Sequence, residues 1–184
     1  MTITHVTMAQ LEEGLDHIRQ APKAAGALEM IVRRPSVGAR EVLDAGELVA
    51  AEGLSGDTWK IRASSRTPDH SPHPDMQLNI MSSRAAALVA QVRERWALAG
   101  DQLFVDMDLS EENLPAWTKL SLGSAVIEVT DQPHTGCAKF VERFGVDAMK
   151  FVNSPVGRSL RLRGLNARVV QPGAIRAGDI VRKR

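Results

Sequence analysis

The chain has 184 residues, 43% apolar and 24% charged, with a formal net charge of +1. That is the size of one ordinary domain, long enough to bury a core without disulfides or a structural metal. Only 4% of residues are aromatic and none is tyrosine, which disfavours a base-stacking nucleic-acid platform. No stretch approaches the roughly 18 apolar residues of a membrane span, so no membrane partner is expected.

Met1–His5 shows neither a basic n-region nor an apolar h-region, which predicts no signal peptide and a cytoplasmic, reducing location. Residues 1–27 read as an N-terminal helix and lead-in, followed by one domain over 28–184. Thr7-Met-Ala-Gln10 has capping-box spacing, and Leu11, Leu15 and Ile18 recur at helical intervals, predicting a single helix from Thr7 to Gln20. A strand is expected from Ala27 to Arg33. Val42 to Ala51 fits either two short strands around Ala45-Gly46 or a helical turn. Gly53-Leu-Ser-Gly-Asp57 is a tight turn with two glycines free to take positive φ.

A polar, proline-broken loop follows from Arg62 to Asp75, then a buried strand over Met76–Met81. Ser82 is expected to cap a helix running to Leu98, with Ala85, Val89, Val92 and Trp96 inward. Gln102–Val105 and Ser124–Thr130 are the clearest later strands, with loops and short edge pairs between Leu109 and Leu122. Phe140, Phe144, Ala148 and Phe151 form a helical stripe. Ser159–Arg163, Ala167–Val170 and Asp179–Arg182 read as short strands, separated by turns at Pro172-Gly173 and Ala177-Gly178. Many short strands with inserted helices, and no regular βαβ alternation, predict a mainly β chain forming a closed or partly closed barrel.

Cys137 is the one cysteine, so it pairs with no other within the chain, and packing or reactivity must explain it. Burial as a small apolar group is one reading. The other rests on its place where a strand ends and a helix begins. With Thr135 as N-cap, Cys137 would lie in the first helical turn, where free amides and the helix dipole favour the thiolate. His134, three residues earlier, could take or relay a proton, or cap the turn. Asp57 could point into a cavity or accept backbone bonds in an Asx-turn. His70 and His73 suggest a metal, but zinc sites need three or four ligands, so a polar loop is preferred.

The C-terminal stretch is lopsided. From Asn153 to Arg184, eight basic residues face one acid, giving +7 and leaving −6 for the rest. The arginines either meet an anionic ligand or lie on solvated strand faces, Arg161 and Arg163 sharing one side by period 2.

Gly53-Leu-Ser-Gly-Asp57, the cysteine after a proline-containing turn, Gly157-Arg158 through Gly164, and Gly173-Ala-Ile-Arg-Ala-Gly-Asp179 together resemble the MOSC domain. That domain is named for the C-terminal part of molybdenum cofactor sulfurases, and the likeness runs from about Leu28 to Arg182. The resemblance implies a mixed barrel like the small barrel domain of pyruvate kinase. It also implies that Cys137 carries sulfur or ligates the molybdenum of a pterin cofactor. Arg158, Arg161, Arg163 and Asn166 would then hold the cofactor, its phosphate above all. The aminotransferase-like part of sulfurases has no counterpart here, so no pyridoxal phosphate is expected, and one cysteine supports no iron–sulfur cluster.

The reading that follows is a molybdenum–pterin protein reducing N-hydroxylated compounds, hydroxylaminopurines or amidoximes. Cys137 would be the metal ligand, with His134 or Asp57 as the proton source and an external electron donor as partner. The alternative is a metal-free sulfur carrier, or cofactor-handling protein, in which Cys137 takes a persulfide from a sulfurtransferase. A third is a barrel with an inert cysteine serving as an interaction module.

Overall fold

The computed structural model describes residues 4–184; residues 1–3, the start of the Met1–His5 stretch, lie outside it. The capping box forms. The Gln10 amide donates to the Thr7 side chain, and the Thr7 amide donates to the Gln10 side chain 3.0 Å away. It opens α1 (Met8–Glu13), and α2 (Leu15–Arg19) follows. The expected single helix is thus two. They meet at Gly14, where the bare α-carbon receives the side chain of Leu88: a β-carbon there would lie 2.6 Å from its methyls.

The strands in chain order are β1 (Ala25–Arg33), β2 (Glu41–Leu43), β3 (Ala45–Val49), β4 (Gly53–Leu54), β5 (Leu78–Ser82), β6 (Leu103–Val105), β7 (Lys119–Leu122), β8 (Ala125–Val129), β9 (Leu165–Gln171), β10 (Gly173–Arg176) and β11 (Ile180–Lys183). The ambiguous Val42–Ala51 segment is therefore the two-strand alternative. Seven strands close a barrel in the order β1-β11-β7-β8-β9-β5-β6, with β6 returning to β1. Only β5 and β6 run parallel, so the barrel is mixed; β2 extends it from β1, and β10-β3-β4 form a small second sheet. Closure leaves these seven strands no free edge.

Alternation along the strands divides the apolar residues between two cores. Leu78 and Ile80 of β5, Leu103 and Val105 of β6, and Ile127 and Val129 of β8 fill the barrel. Met81, Phe104 and Met30 point outward, against the helices. In β1 the period breaks: Leu28 and Ile31 face in while Met30 and Val32 face out, because the pairing with β6 shifts register between Leu28 and Met30.

The outer core lies under α3 (Ser83–Ala90), α4 (Ala138–Phe144), α5 (Val146–Asn153) and a 3₁₀ segment, Arg93–Ala99. The expected helix from Ser82 to Leu98 is broken at Gln91, whose φ is +67°. The break turns Val92 outward, 44% exposed, while Trp96 stays buried. Phe140, Phe144, Ala148 and Phe151 all face this core, as their spacing predicts.

The Ser159–Arg163 strand does not exist. The residues form the end of α6 (Pro155–Ser159) and a turn. Ser154 caps this helix by accepting from the Gly157 amide at 3.0 Å, with Pro155 in the first turn. Arg161 then takes a φ of +49°, which no strand accommodates, and the two arginines leave on separate errands. Among the described residues no helix is long and apolar enough to cross a membrane.

Candidate functional site

Residues 130–137 connect β8 to α4, and asparagines hold this loop. Asn166 of β9, wholly buried, donates to the carbonyls of Gln132 at 3.0 Å and Pro133 at 3.4 Å. Its own carbonyl accepts from Asn79 at 2.6 Å. Asn153, the last residue of α5, accepts from the Gly136 amide at 2.9 Å and donates to the Gly136 carbonyl at 3.2 Å. Thr130 donates its hydroxyl to the Asp75 carbonyl, and Arg168 ties Asp75 back to Glu128, so the preceding Pro74–Met76 turn is anchored too.

The Asn153 clamp decides where the helix begins. With both Gly136 backbone groups taken, Thr135 does not cap, and the N-cap is Cys137 itself. Its carbonyl accepts from the amides of Phe140 at 2.9 Å and Val141 at 3.2 Å. The expected first-turn position is thus two residues too far in. The thiol is exposed and makes no capping bond.

His134 turns inward toward Asp101, which is completely buried. Its Nε2 lies 3.2 Å from Asp101 Oδ1, an ion-pair distance whose angles leave both atoms short of a true hydrogen bond. Burial, reinforced by Arg163, lowers the His134 pKa below its ordinary value despite the opposing pull of Asp101. Burial works against the Asp101 carboxylate, but Arg163 and then His134 outweigh it, so its pKa falls. The pair is therefore a neutral imidazole beside a carboxylate, the latter bonded to Arg163 Nη1 at 2.7 Å.

Asp57 occupies the tight turn as expected, with Gly53 at φ +74° and Gly56 at φ +78°. Its carboxylate is saturated. It accepts Arg34 Nε at 2.9 Å, Arg34 Nη2 at 2.7 Å, the Arg34 amide at 3.0 Å and the Trp59 amide at 2.9 Å. The turn-capping alternative describes this geometry, with a buried ion pair added.

The C-terminal arginines separate. Arg161 donates to the Leu114 carbonyl at 2.6 Å. Arg163, nine-tenths buried, lies over the Phe140 ring, bonds Asp101 and the Ala99 carbonyl, and leaves its Nε without a partner. Arg158 is exposed, using only Nε, to the Asn153 carbonyl.

Two clefts adjoin the loop. One, of about 280 Å³, is walled by Thr130–Thr135, Arg158, Arg161, Arg163 and Glu111. The other, of about 220 Å³, is walled by Arg34, Trp59, Arg62, His73 and Asn79. His134 lines both; Cys137 lines neither. His73 also caps the Pro74–Met76 turn, while His70 sits at φ +59° with Nδ1 on the Ser64 carbonyl. Among the described residues no three metal-ligating side chains gather.

The profile of the MOSC domain matches residues 67–182, more than half the chain. The chain belongs to the MOSC family. Solved structures agree on the fold. The YuaD protein of Bacillus subtilis is 18% identical over 85% of this chain and 94% of its own, with a TM-score of 0.65. YiiM from Escherichia coli is 20% identical over 86% of this chain and 69% of its own, TM-score 0.55. YiiM from Geobacillus stearothermophilus is 12% identical over 89% and 74%, TM-score 0.52. No curated protein matches in sequence. The MOSC family is associated with molybdenum cofactor binding.

Sequence reasoning passed over Arg34, Asp101 and Asn153, which position the Asp57 turn, His134 and Gly136. Arg34 directly follows the strand expected to end at Arg33, and Asp101 lies between the helix expected to end at Leu98 and the strand expected from Gln102. Asn153 was only the start of a basic stretch. The one signal available was polar residues next to Gly or Pro at element ends, which is common to most turns.

Proposed function

We propose that the chain binds a molybdenum–pterin cofactor through Cys137 and reduces N-hydroxylated compounds with electrons from an external donor. The supporting observation is an exposed thiol, outside the cleft lining but only two residues from Thr135, a wall residue of the cleft where buried Arg163 keeps an unpartnered N–H. A soft thiolate suits molybdenum, and guanidinium donors suit the phosphate of a pterin. Because the metal would take one protein ligand, a lone thiol is sufficient, and the residues fit the group.

Bound, the cofactor supplies the two-electron removal of oxygen from an N–OH group, which with two protons gives the amine and water. The chain's own residues bind, orient and protonate. Arg158 and Arg163 hold phosphate, while Arg161 and Asn166 keep the cleft wall and loop in place. His134, neutral and lining both clefts, turns Nε2 to Asp101, so its role is a relay in which Nδ1 takes each proton from solvent before passing it to the substrate. Asp57 is committed to Arg34 and serves the scaffold.

Metal analysis of protein made in a host competent for cofactor synthesis tests this. Stoichiometric molybdenum is expected, lost in Cys137→Ser with the fold unchanged by circular dichroism. A Cys137→Ser protein that keeps its metal overturns the reading. The sulfur-carrier reading draws on the fact that the exposed thiol lines neither cleft. There the Cys137 thiolate attacks the outer sulfur of a sulfurtransferase persulfide, whose own thiolate departs. Intact mass of the non-reduced protein separates the two: a sulfur on Cys137 that reduction removes supports the carrier.

A further inference from the structure

The end of the Arg93–Ala99 segment gathers four arginines. Arg40 Nε donates to the Ala97 carbonyl at 3.2 Å, and Arg143 Nη1 to the Leu98 carbonyl at 2.6 Å. Arg163 Nη2 donates to the Ala99 carbonyl at 2.9 Å, and Arg34 Nη1 to the Gly100 carbonyl at 3.0 Å. Four consecutive carbonyls at a helical C-terminus are thus met by four cations, as orphan acceptors and the helix dipole favour.

The charges are not balanced. Arg34 is neutralised by Asp57 and Arg163 by Asp101. Arg40 and Arg143, both half-buried, have no carboxylate partner among the described residues. Nor do Arg40 Nη2, Arg143 Nε and Arg143 Nη2 make any hydrogen bond there.

These two guanidiniums converge over Gly100, whose φ of +91° turns its bare α-carbon toward them. A point one bond out from that carbon lies 3.5 Å from Arg40 Nη2 and 4.0 Å from Arg143 Nη1. Beyond the flanking residues, no other heavy atom of the described chain comes within 4 Å of it. Arg143 Nη1 is taken by the Leu98 carbonyl, but Arg40 Nη2 is free, and two guanidiniums without a carboxylate that meet at one point are a setting in which arginine recognises a tetrahedral oxyanion.

We propose that Arg40 and Arg143, held over Gly100, form a binding site for a phosphate group. Burial, then the charges of Arg143, Arg34 and Arg62, lower the Arg40 pKa, and an anion between the guanidiniums relieves that repulsion. The site is distinct from the one assigned to the cofactor. Neither arginine lines a cleft beside the Cys137 loop, and Arg143 stands six residues, about 9 Å of helix rise, from Cys137. Free phosphate and the phosphate end of a larger ester present the same chemistry.

The test uses the full chain purified without cofactor, so its failure leaves the molybdenum reading standing. Inorganic phosphate is titrated at constant ionic strength against chloride, following the Tm, and binding is checked by phosphorus NMR line broadening well below the Tm. A saturable rise with phosphate alone is expected. Arg40→Gln and Arg143→Gln should each weaken apparent affinity about tenfold or more, the worth of a lost charge-assisted bond. Arg143→Lys should recover part of it, and Arg182→Gln, exposed elsewhere, should change nothing. Phenyl phosphate binding tighter than inorganic phosphate assigns the site to an ester, and weaker binding assigns it to the free ion; both support the site. No saturable response, or an equal response in the Arg40 and Arg143 variants, overturns it. The NMR reading keeps the test valid where a variant is merely less stable.

Discussion

Asp101 Oδ1 stands 3.2 Å from His134 Nε2, with the carboxylate wholly buried and the imidazole 14% exposed. The pair joins the Gly100–Asp101 turn to the loop that presents Cys137, and the state of one controls the state of the other. His134 is neutral when folded because burial and Arg163 lower its pKa.

A pH dependence follows. Below the ordinary histidine value of 6.5 the unfolded chain binds a proton at this residue that the folded chain refuses. Stability is therefore full above that value and falls as pH drops below it, by up to about 1.4 kcal/mol per pH unit for one proton. The loss ends once the lowered folded pKa is reached. Asp101 adds a second loss at more acidic pH, since its pKa is also lowered. The Tm of the wild type should drop between pH 7 and pH 5, and His134→Gln should flatten that slope. An unchanged slope in the variant contradicts the account.

The Arg34–Asp57 pair makes a stronger claim on stability. Both side chains are at most 5% exposed, and the carboxylate takes a fork of two guanidinium bonds and two amide bonds. Removing the charge from one side strands the other in a dry site, which costs about 3–5 kcal/mol in buried pairs. Asp57→Asn should lower unfolding free energy by that amount in urea. Arg34→Met, which removes the cation and leaves Asp57 charged, should cost as much. A loss near zero for Asp57→Asn would mean that the turn holds without the pair.

Gly26 carries a prediction about the barrel seam. It pairs with Val181 where β1 meets β11, and a β-carbon on it would lie 1.8 Å from the Asp106 carbonyl oxygen. That oxygen belongs to backbone tied to β1 through the Asp106 amide and the Ala27 carbonyl at 2.9 Å, so it has little freedom to retreat. Gly26→Ala should destabilise by about 3 kcal/mol or more, by overpacking against main chain. Chemical denaturation reads this directly, and a wild-type midpoint would show that the seam can open by more than a bond length.

The barrel was legible because its signals are local and repetitive. Leu78, Ile80, Ile127, Val129 and Val181 lie where period 2 and glycine turns put them. The Ser159–Arg163 segment misled for the same reason. Leu160 and Leu162 alternate with two arginines, but Ser154-Pro155 starts a helix just upstream and Arg161 takes a left-handed turn. At the site, Cys137 and His134 stood out by residue type and position. What holds them did not: Asn153 acts across 17 residues of chain, and Asp101 across more than thirty. No spacing rule links residues that meet only after the barrel closes.

The Asn153 clamp gives the last prediction. Two hydrogen bonds fix Gly136 and keep the Thr135–Gly136 backbone out of the helix that Cys137 caps. In Asn153→Ala the Gly136 amide and carbonyl are released, and Thr135 becomes free to cap a longer helix, which would draw Cys137 into its first turn. The stability cost should be modest, about 1–3 kcal/mol for two partly buried bonds. The larger effect falls on the thiol: amide exchange at Gly136 should quicken, and the rate at which a thiol reagent labels Cys137 should change with it. Asn153→Asp, which keeps the acceptor for the Gly136 amide but loses the donor, should fall between. Exchange at Gly136 and labelling of Cys137 both unchanged in Asn153→Ala would show that the loop is held by Asn166 alone.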